Sequence, residues 1–289
     1  MGEALPGGMR SVKDVVALSS AYLAAKGSPT ARLDAELLIG RVLELDRLEL
    51  YLYHDRPVTP AELDQVRPLL RRRADLEPIA YILGSVGFHH VILKCDVRAL
   101  VPRAETETLV EIALACLTHN AALLDVGTGA GAIAIAVRHA RPDVVVTALD
   151  VSSDALALAQ ENATAVGAEI IFHLSDLTGA VVGETFDVVA ANLPYIAADD
   201  PRVELGVVRY EPHLALYSGS DGLDLIRRLV AEAQQCLRPG GSLILEVADD
   251  QGARVIELLS AAGYVDSIAH RDLAGVDRVV VAQWQRRGR

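Results

Sequence analysis

Asn192-Leu193-Pro194-Tyr195 is the segment of this chain whose residue types carry the most specific chemistry. An asparagine side-chain carbonyl and the next backbone carbonyl can each accept one N–H of a planar NH₂ group, which turns its delocalised lone pair toward an electrophile. Pro194 stiffens the segment, and Tyr195 offers a flat face to a planar substrate group. No strong base is required when the electrophilic carbon carries a good leaving group. Holding nitrogen and that carbon about 3 to 3.5 Å apart and in line supplies most of the rate. Ser152 and Ser153 sit where helix capping explains them, so no nucleophilic triad competes with this chemistry.

A second chemical signature lies upstream, in Leu124-Asp125-Val126-Gly127-Thr128-Gly129-Ala130-Gly131. Its alternating glycines permit a tight turn and the close backbone approach that a nucleotide ligand demands. The loop suits a pyrophosphate equally well, so alone it does not separate NAD from S-adenosylmethionine. Asp150, closing the apolar run 144–149, sits where an acid accepts from both hydroxyls of a ribose. Asp125 before the first glycine and Asp176 after the run 170–174 favour S-adenosylmethionine, with S-adenosylhomocysteine as product. The plainer alternative is that both acids only cap neighbouring helices.

Loops of this kind belong at the carboxyl edge of a parallel sheet, and the rest of the chain predicts one. From Glu105 a helix through Leu117, a strand at Ala122, a helix from Gly131 and a strand at Val144 alternate. A helix from Asp154, strands near Ile170 and Val188, a helix from Asp221, a strand at Leu243 and a helix from Gln251 follow. Repeated strand–helix units give an α/β, Rossmann-like doubly wound sheet covered on both faces.

Residues 1–75 read as a small all-helical bundle. Ser11 with Asp14 forms a capping-box variant ahead of the stripe Val15, Val16, Leu18, Tyr22, Leu23, which Gly27 ends. Thr30 opens a helix over 31–45, and Thr59-Pro60-Ala61-Glu62 opens a third that Pro68 should kink. Alternation at Ile79, Tyr81 and Leu83, then Phe88, Val91 and Leu93, predicts a β-hairpin linker over 76–101. The catalytic domain then spans 102–289.

With 289 residues and 51% hydrophobic composition, the chain exceeds one typical domain of about 100–200 residues. Its apolar runs fall far short of a transmembrane span, and its N-terminus lacks the apolar segment of a secretory signal, so a cytoplasmic protein is expected. The net charge of −12 disfavours an extended nucleic-acid surface. Arg71-Arg72-Arg73 and Arg286-Arg287-Gly288-Arg289 are the local exceptions, read as a solvated helix end and a frayed tail. Cys95, Cys116 and Cys236 are scattered, and His89-His90 point to opposite faces if on a strand, so no metal is expected.

Taken with the glycine loop and Asn192-Leu193-Pro194-Tyr195, several longer stretches make the chain resemble the HemK-type release-factor glutamine methyltransferases over nearly its whole length. They are Arg73-Ala74-Asp75-Leu76-Glu77-Pro78-Ile79-Ala80-Tyr81-Ile82-Leu83-Gly84 and Leu100-Val101-Pro102-Arg103-Ala104-Glu105-Thr106-Glu107. Tyr210-Glu211-Pro212, Ala215-Leu216 and Ser218-Gly219-Ser220-Asp221-Gly222-Leu223 complete the set. The resemblance implies a helical N-terminal domain that recognises a peptide chain release factor. It also implies a seven-stranded class I methyltransferase domain, acting as a monomer, that methylates the glutamine of a Gly-Gly-Gln loop. By that resemblance Gly127, Thr128, Gly129, Ala130, Gly131, Asp150, Asp176, Leu177 and Asn192 contact the cofactor. Asn192, Leu193, Pro194 and Tyr195 hold the glutamine, and Arg103 and Glu105 either line the rim or form a structural ion pair.

The family usually carries two prolines in the tetrapeptide, and here the first is Leu193. Asn-Leu-Pro-Tyr is also similar to the loop of ribosomal RNA adenine dimethyltransferases, which makes adenine N6-methylation the alternative activity. A third alternative is a cofactor-binding fold that serves only as a docking module. The acidic balance and the helical N-terminal part argue against adenine methylation, and intact Asn192 against the docking module.

Overall fold

Side-chain caps start three helices of the N-terminal part. In the computed structural model, which describes residues 10–285, the chain divides into two compact units. The first runs to Gly84 and takes in Glu204–Tyr210; the second comprises Ser85–Val203 and the chain from Glu211 onward. The basic cluster 286–289 lies outside the described residues.

The first unit contains β1 (Arg10–Ser11), α1 (Val12–Ala25), α2 (Ala31–Leu43), α3 (Arg47–Leu52), β2 (Pro57–Val58), α4 (Pro60–Ala74) and α5 (Ile79–Leu83). Ser11 and Asp14, Asp46 and Glu49, and Thr59 and Glu62 form reciprocal capping boxes that satisfy the first amides of α1, α3 and α4. Thr30 caps differently from expectation: its hydroxyl donates to Asp34 at 2.9 Å and makes no bond to a helix amide. The buried stripe of α1 is Val12, Val15, Ser19 and Leu23, whereas Leu18 and Tyr22 are exposed. The helix has rotated relative to the predicted face because the 3-4-4 spacing of the buried set follows the helical period better. α4 continues through Pro68. Arg73 donates to the buried Asp34 at 2.7 Å and Arg72 pairs with Glu77, so two of the three clustered arginines are consumed inside the unit. Residues 79–83, expected as a hairpin strand, form α5: their alternation coincides with a helical face buried at Ala80, Tyr81 and Ile82.

In the second unit, β3 (Ser85–Phe88) and β4 (Val91–Lys94) make a two-stranded hairpin. There follow α6 (Thr106–Cys116), β5 (Ala122–Val126), α7 (Ala132–Ala140), β6 (Val145–Asp150), α8 (Ser153–Val166), β7 (Ile171–Leu174) and β8 (Phe186–Ala191). α9 (Leu205–Tyr210), which belongs to the first unit, interrupts this series. α10 (Asp224–Glu232), β9 (Leu237–Glu246), α11 (Gly252–Ala261), β10 (Tyr264–Arg271) and β11 (Asp277–Trp284) complete the chain.

Seven strands form one sheet in the order β10-β11-β9-β8-β5-β6-β7. β9, β8, β5, β6 and β7 are parallel neighbours, while β11 runs antiparallel to both β9 and β10. Val188 and Ala190 pack with Leu109, Val110 and Ile133 on one face; Val189 and Ala191 pack with Ile226, Leu229 and Val255 on the other. Burial on both faces explains why these strands read as continuous apolar runs. The order of strands reverses between β5 and β8, and their carboxyl ends make the crevice in which such sheets bind ligands. Among the described residues no helix is long and apolar enough to cross a membrane.

Candidate active site

Two loops leave the sheet at that crevice, one after β5 and one after β8. The first turns back at once: the amides of Gly127 and Thr128 both donate to the Leu149 carbonyl, at 2.8 and 2.9 Å, and Gly131 donates to Thr128 at 2.8 Å. Gly127, Gly129 and Gly131 all have positive φ, a conformation that suits residues without a Cβ. A Cβ on Gly127 would lie 2.9 Å from Cδ2 of Leu193, so the two loops touch there. A Cβ on Gly131 would lie 2.8 Å from Ile135 and 3.2 Å from Ala159, so this glycine serves the packing of α7 against α8. No atom stands within 4 Å of the corresponding point on Gly129.

The acids divide into two roles. Asp125 is fully buried on the α7 side of the sheet, where its Oδ2 accepts from Thr128 Oγ1 at 2.6 Å and from the Ala134 amide at 3.1 Å. It therefore braces the glycine loop and caps the first turn of α7. Burial, with Oδ1 unpartnered, pushes its carboxyl up to about 7 against the pull of those two bonds. Asp150 instead reaches the cavity: Oδ2 accepts from Gly129 N–H at 2.8 Å and Oδ1 from Ser152 N–H at 2.9 Å. Burial raises its pKa, and the backbone donors oppose the rise. Asp176 accepts from Arg228 at 3.0 Å, and Leu177 beside it is buried with φ of 47°.

In the second loop the Asn192 Nδ2 donates to Thr106 Oγ1 at 3.1 Å, which leaves Oδ1 without a protein donor among the described residues. Leu193 is only 5% exposed, its side chain lodged in the core. Tyr195 turns away from the cavity and packs on the core, its hydroxyl donating to Glu246 Oε1 at 3.4 Å. Burial and the neighbouring carboxylate raise the Tyr195 pKa. Its carbonyl accepts from Gln251 Nε2 at 2.9 Å, and Ile196 bridges to Tyr217, so the loop is held at its exit.

One cavity of about 390 Å³ gathers these groups, within the range of about 300–1,000 Å³ usual for small-molecule sites. Of the residues singled out in the sequence, it brings together Gly127, Thr128, Gly129, Ala130, Asp150, Asp176, Leu177, Asn192, Leu193 and Pro194. Gly131 and Tyr195 are absent from its lining. Arg103 lines it and donates to the buried Glu211 at 2.5 Å, while Glu105 precedes α6 and is not part of the wall. Glu211 also accepts from the Val101 amide at 3.0 Å, tying the segment before α6 to the segment after α9.

Sequence reasoning missed Thr106, Arg228 and Glu246. Thr106 lay inside the stretch Pro102-Arg103-Ala104-Glu105-Thr106-Glu107, with nothing to single out its hydroxyl. Glu246 did leave a signal: it is an acid closing the apolar run Leu243-Ile244-Leu245, at the carboxyl end of a strand.

Residues 14–84 match the family model described as PrmC N-terminal domain, and residues 105–208 match Methyltransferase small domain. A release factor glutamine methyltransferase of Xylella fastidiosa (strain Temecula1) is 43% identical over 266 residues, covering 91% of this chain and 97% of the relative. One of Geobacter sulfurreducens is 40% identical over 271 residues, 93% and 95% of the two chains. The crystal structure of a methyltransferase from Pyrococcus furiosus shares the fold at 18% identity with a TM-score of 0.51, covering 67% of this chain and 89% of that one. With two relatives of one name matched over more than nine-tenths of its length, the chain belongs to the release factor glutamine methyltransferase family.

Proposed function

We propose that this protein transfers a methyl group from S-adenosylmethionine to the side-chain amide nitrogen of the glutamine in the Gly-Gly-Gln loop of a peptide chain release factor. The observation that carries the reading is the orientation of Asn192. With Nδ2 spent on Thr106, Oδ1 is left as an acceptor on a residue that lines the same cavity as the glycine loop. An acceptor at that point suits an NH₂ nucleophile, whose N–H it can take.

The cavity fits the cofactor. Asp150 carries a carboxylate for the ribose hydroxyls, the bare backbone at Gly129 admits close approach, and Asp176 with Leu177 offers an acid and a buried apolar wall to the adenine. When bound, S-adenosylmethionine supplies an electrophilic methyl on a good leaving group. The chain's own residues position the nucleophile: Asn192 Oδ1 and the Leu193 carbonyl accept the two amide hydrogens, and Pro194 limits the loop's freedom. The Leu193 carbonyl does not depend on the side chain there, so leucine in place of proline leaves this function intact. Tyr195 supports the loop from behind through its contact with Glu246.

Residues 1–75 are read as the part that recognises the release factor, 76–101 as a linker and 102–289 as the methyltransferase domain, in a monomer working in the cytoplasm where release factors act. A methyl-transfer assay with radiolabelled cofactor, offering purified release factor and ribosomal RNA side by side, tests the reading. Label should enter the glutamine of the release factor. Label in adenine instead would establish the alternative activity.

A further inference from the structure

Glu246 ends β9, beside the strand that carries the reactive loop, and is 1% exposed. Its Oε1 accepts from the Tyr195 hydroxyl at 3.4 Å, the Thr106 hydroxyl lies close enough to act on the carboxyl, and Oε2 has no partner among the described residues. Arg278 and Glu105 act on it electrostatically with opposite signs. An acid buried with one oxygen unpaired weakens a core relative to an apolar side chain of similar size. Its place is explained by what it does to Thr106. A hydroxyl carries one proton, and Thr106 already accepts from Asn192 Nδ2 at 3.1 Å, so its own proton is free for the carboxyl. Passing that proton to the unpaired Glu246 Oε2 would make amide, hydroxyl and acid a directed chain.

We propose that Glu246 is a positioning residue for methyl transfer: by taking the Thr106 proton it compels Thr106 to accept from Asn192, and so fixes which end of the Asn192 amide meets the substrate. Without an acceptor at position 246, Thr106 donates to Asn192 Oδ1, the amide turns over, and an NH₂ group faces the substrate NH₂. Two donors then oppose each other and the lone pair is no longer aimed. An amide at position 246 keeps a carbonyl oxygen for Thr106 and preserves the chain's direction.

The inference rests on the reading of the substrate as an amide NH₂. Its test compares wild type, Glu246→Leu, Glu246→Gln, Thr106→Val and the Thr106→Val/Glu246→Leu double variant, with single-turnover rates and KM on a release factor and cofactor affinity by calorimetry. Glu246→Leu should lower the rate by about a hundredfold while KM and cofactor affinity stay within about twofold. Glu246→Gln should stay within about threefold of wild type, and the double variant should be no slower than Thr106→Val, since both remove one interaction. A folded Glu246→Leu protein with the wild-type rate, or additive losses in the double variant, would overturn the proposal. Should Glu246→Leu not fold, Thr106→Ser against Thr106→Val decides: serine keeps the hydroxyl and the rate, and equal rates refute the relay. If the wild type itself leaves release factor unmethylated, the substrate reading fails separately. The relay is then read from the Asn192 side-chain NH₂ signal in a ¹H–¹⁵N spectrum, which must move in Glu246→Leu and hold in Glu246→Gln.

Discussion

Asn192, Leu193, Asp150 and Asp125 contribute in different ways, and substitutions separate them. Asn192 acts through its side-chain oxygen, so Asn192→Ala should cost about 10²–10³ in kcat, measured by single-turnover methylation of a release factor. Leu193 acts through its carbonyl while its side chain packs against Gly127. Leu193→Pro should therefore keep kcat within about threefold and lose stability through packing, roughly 1–3 kcal/mol in denaturant titration. Asp150→Ala removes charge-assisted bonds to a ribose and should weaken S-adenosylmethionine binding about tenfold or more by calorimetry. Asp125 is a matter of pH. Its folded carboxyl titrates near 7, above the ordinary 3.8, so the folded state holds the proton more tightly than the unfolded chain. That contribution is full below about pH 4 and is lost as the pH rises toward 7. Asp125→Asn has no such loss, and its melting temperature should gain on wild type by about 5 °C between pH 5 and 8. The glycine loop and the Asn192 tetrapeptide were legible because their residue types are scarce in that order. The burial of Leu193 and the turn of Tyr195 toward Glu246 were not, since both depend on side chains from other strands.

Elements were legible where one period dominated. β5, β6 and β8 are buried on both faces and announce themselves as apolar runs, and the capping boxes of α1 and α4 mark their starts. Residues 79–83 misled because a five-residue apolar run fits either period, and the tertiary setting decided for α5. β10 and β11 escaped notice because exposed positions break their alternation and bulges shift their register. The hold on the reactive loop was hidden as well. Gly222 has φ of +77°, and a Cβ there would lie 2.1 Å from the Tyr195 carbonyl oxygen and 2.7 Å from Gln251 Nε2. Gly222→Ala must therefore displace the loop's exit. The expected outcome is about 1–3 kcal/mol of lost stability together with a fall in kcat of about tenfold or more, read by denaturant titration and single-turnover rates. A substitution at Gly240, which has nothing within 4 Å, is the matched control for backbone strain alone.

Each of the two units carries its own buried core, Val15, Ile39, Leu43 and Val66 in one and the two faces of the sheet in the other. A chain beginning at Ser85 should fold and bind S-adenosylmethionine with near wild-type affinity, because the layered sheet is self-sufficient. Its kcat/KM on intact release factor should fall about a hundredfold or more if residues 1–75 supply recognition. Unchanged kcat/KM would remove that role from the helical part. In the shortened chain α9 would also lose its partners, since a Cβ on Gly206 would lie 2.5 Å from the Leu76 carbonyl oxygen and both Arg209 and Tyr210 bond Asp75. The membership of α9 in the first unit bears on how the protein is made. A ribosome delivers the chain from its N-terminus, so α1 to α5 emerge long before Leu205–Tyr210, with β3 to β8 in between. The nascent helical unit must wait, with the surface around Leu76 and Asp75 unfilled, until four strands of the large sheet have left the exit tunnel. Chaperone contact during synthesis should concentrate in that interval, and the unit begun first is closed only after most of the second has been made.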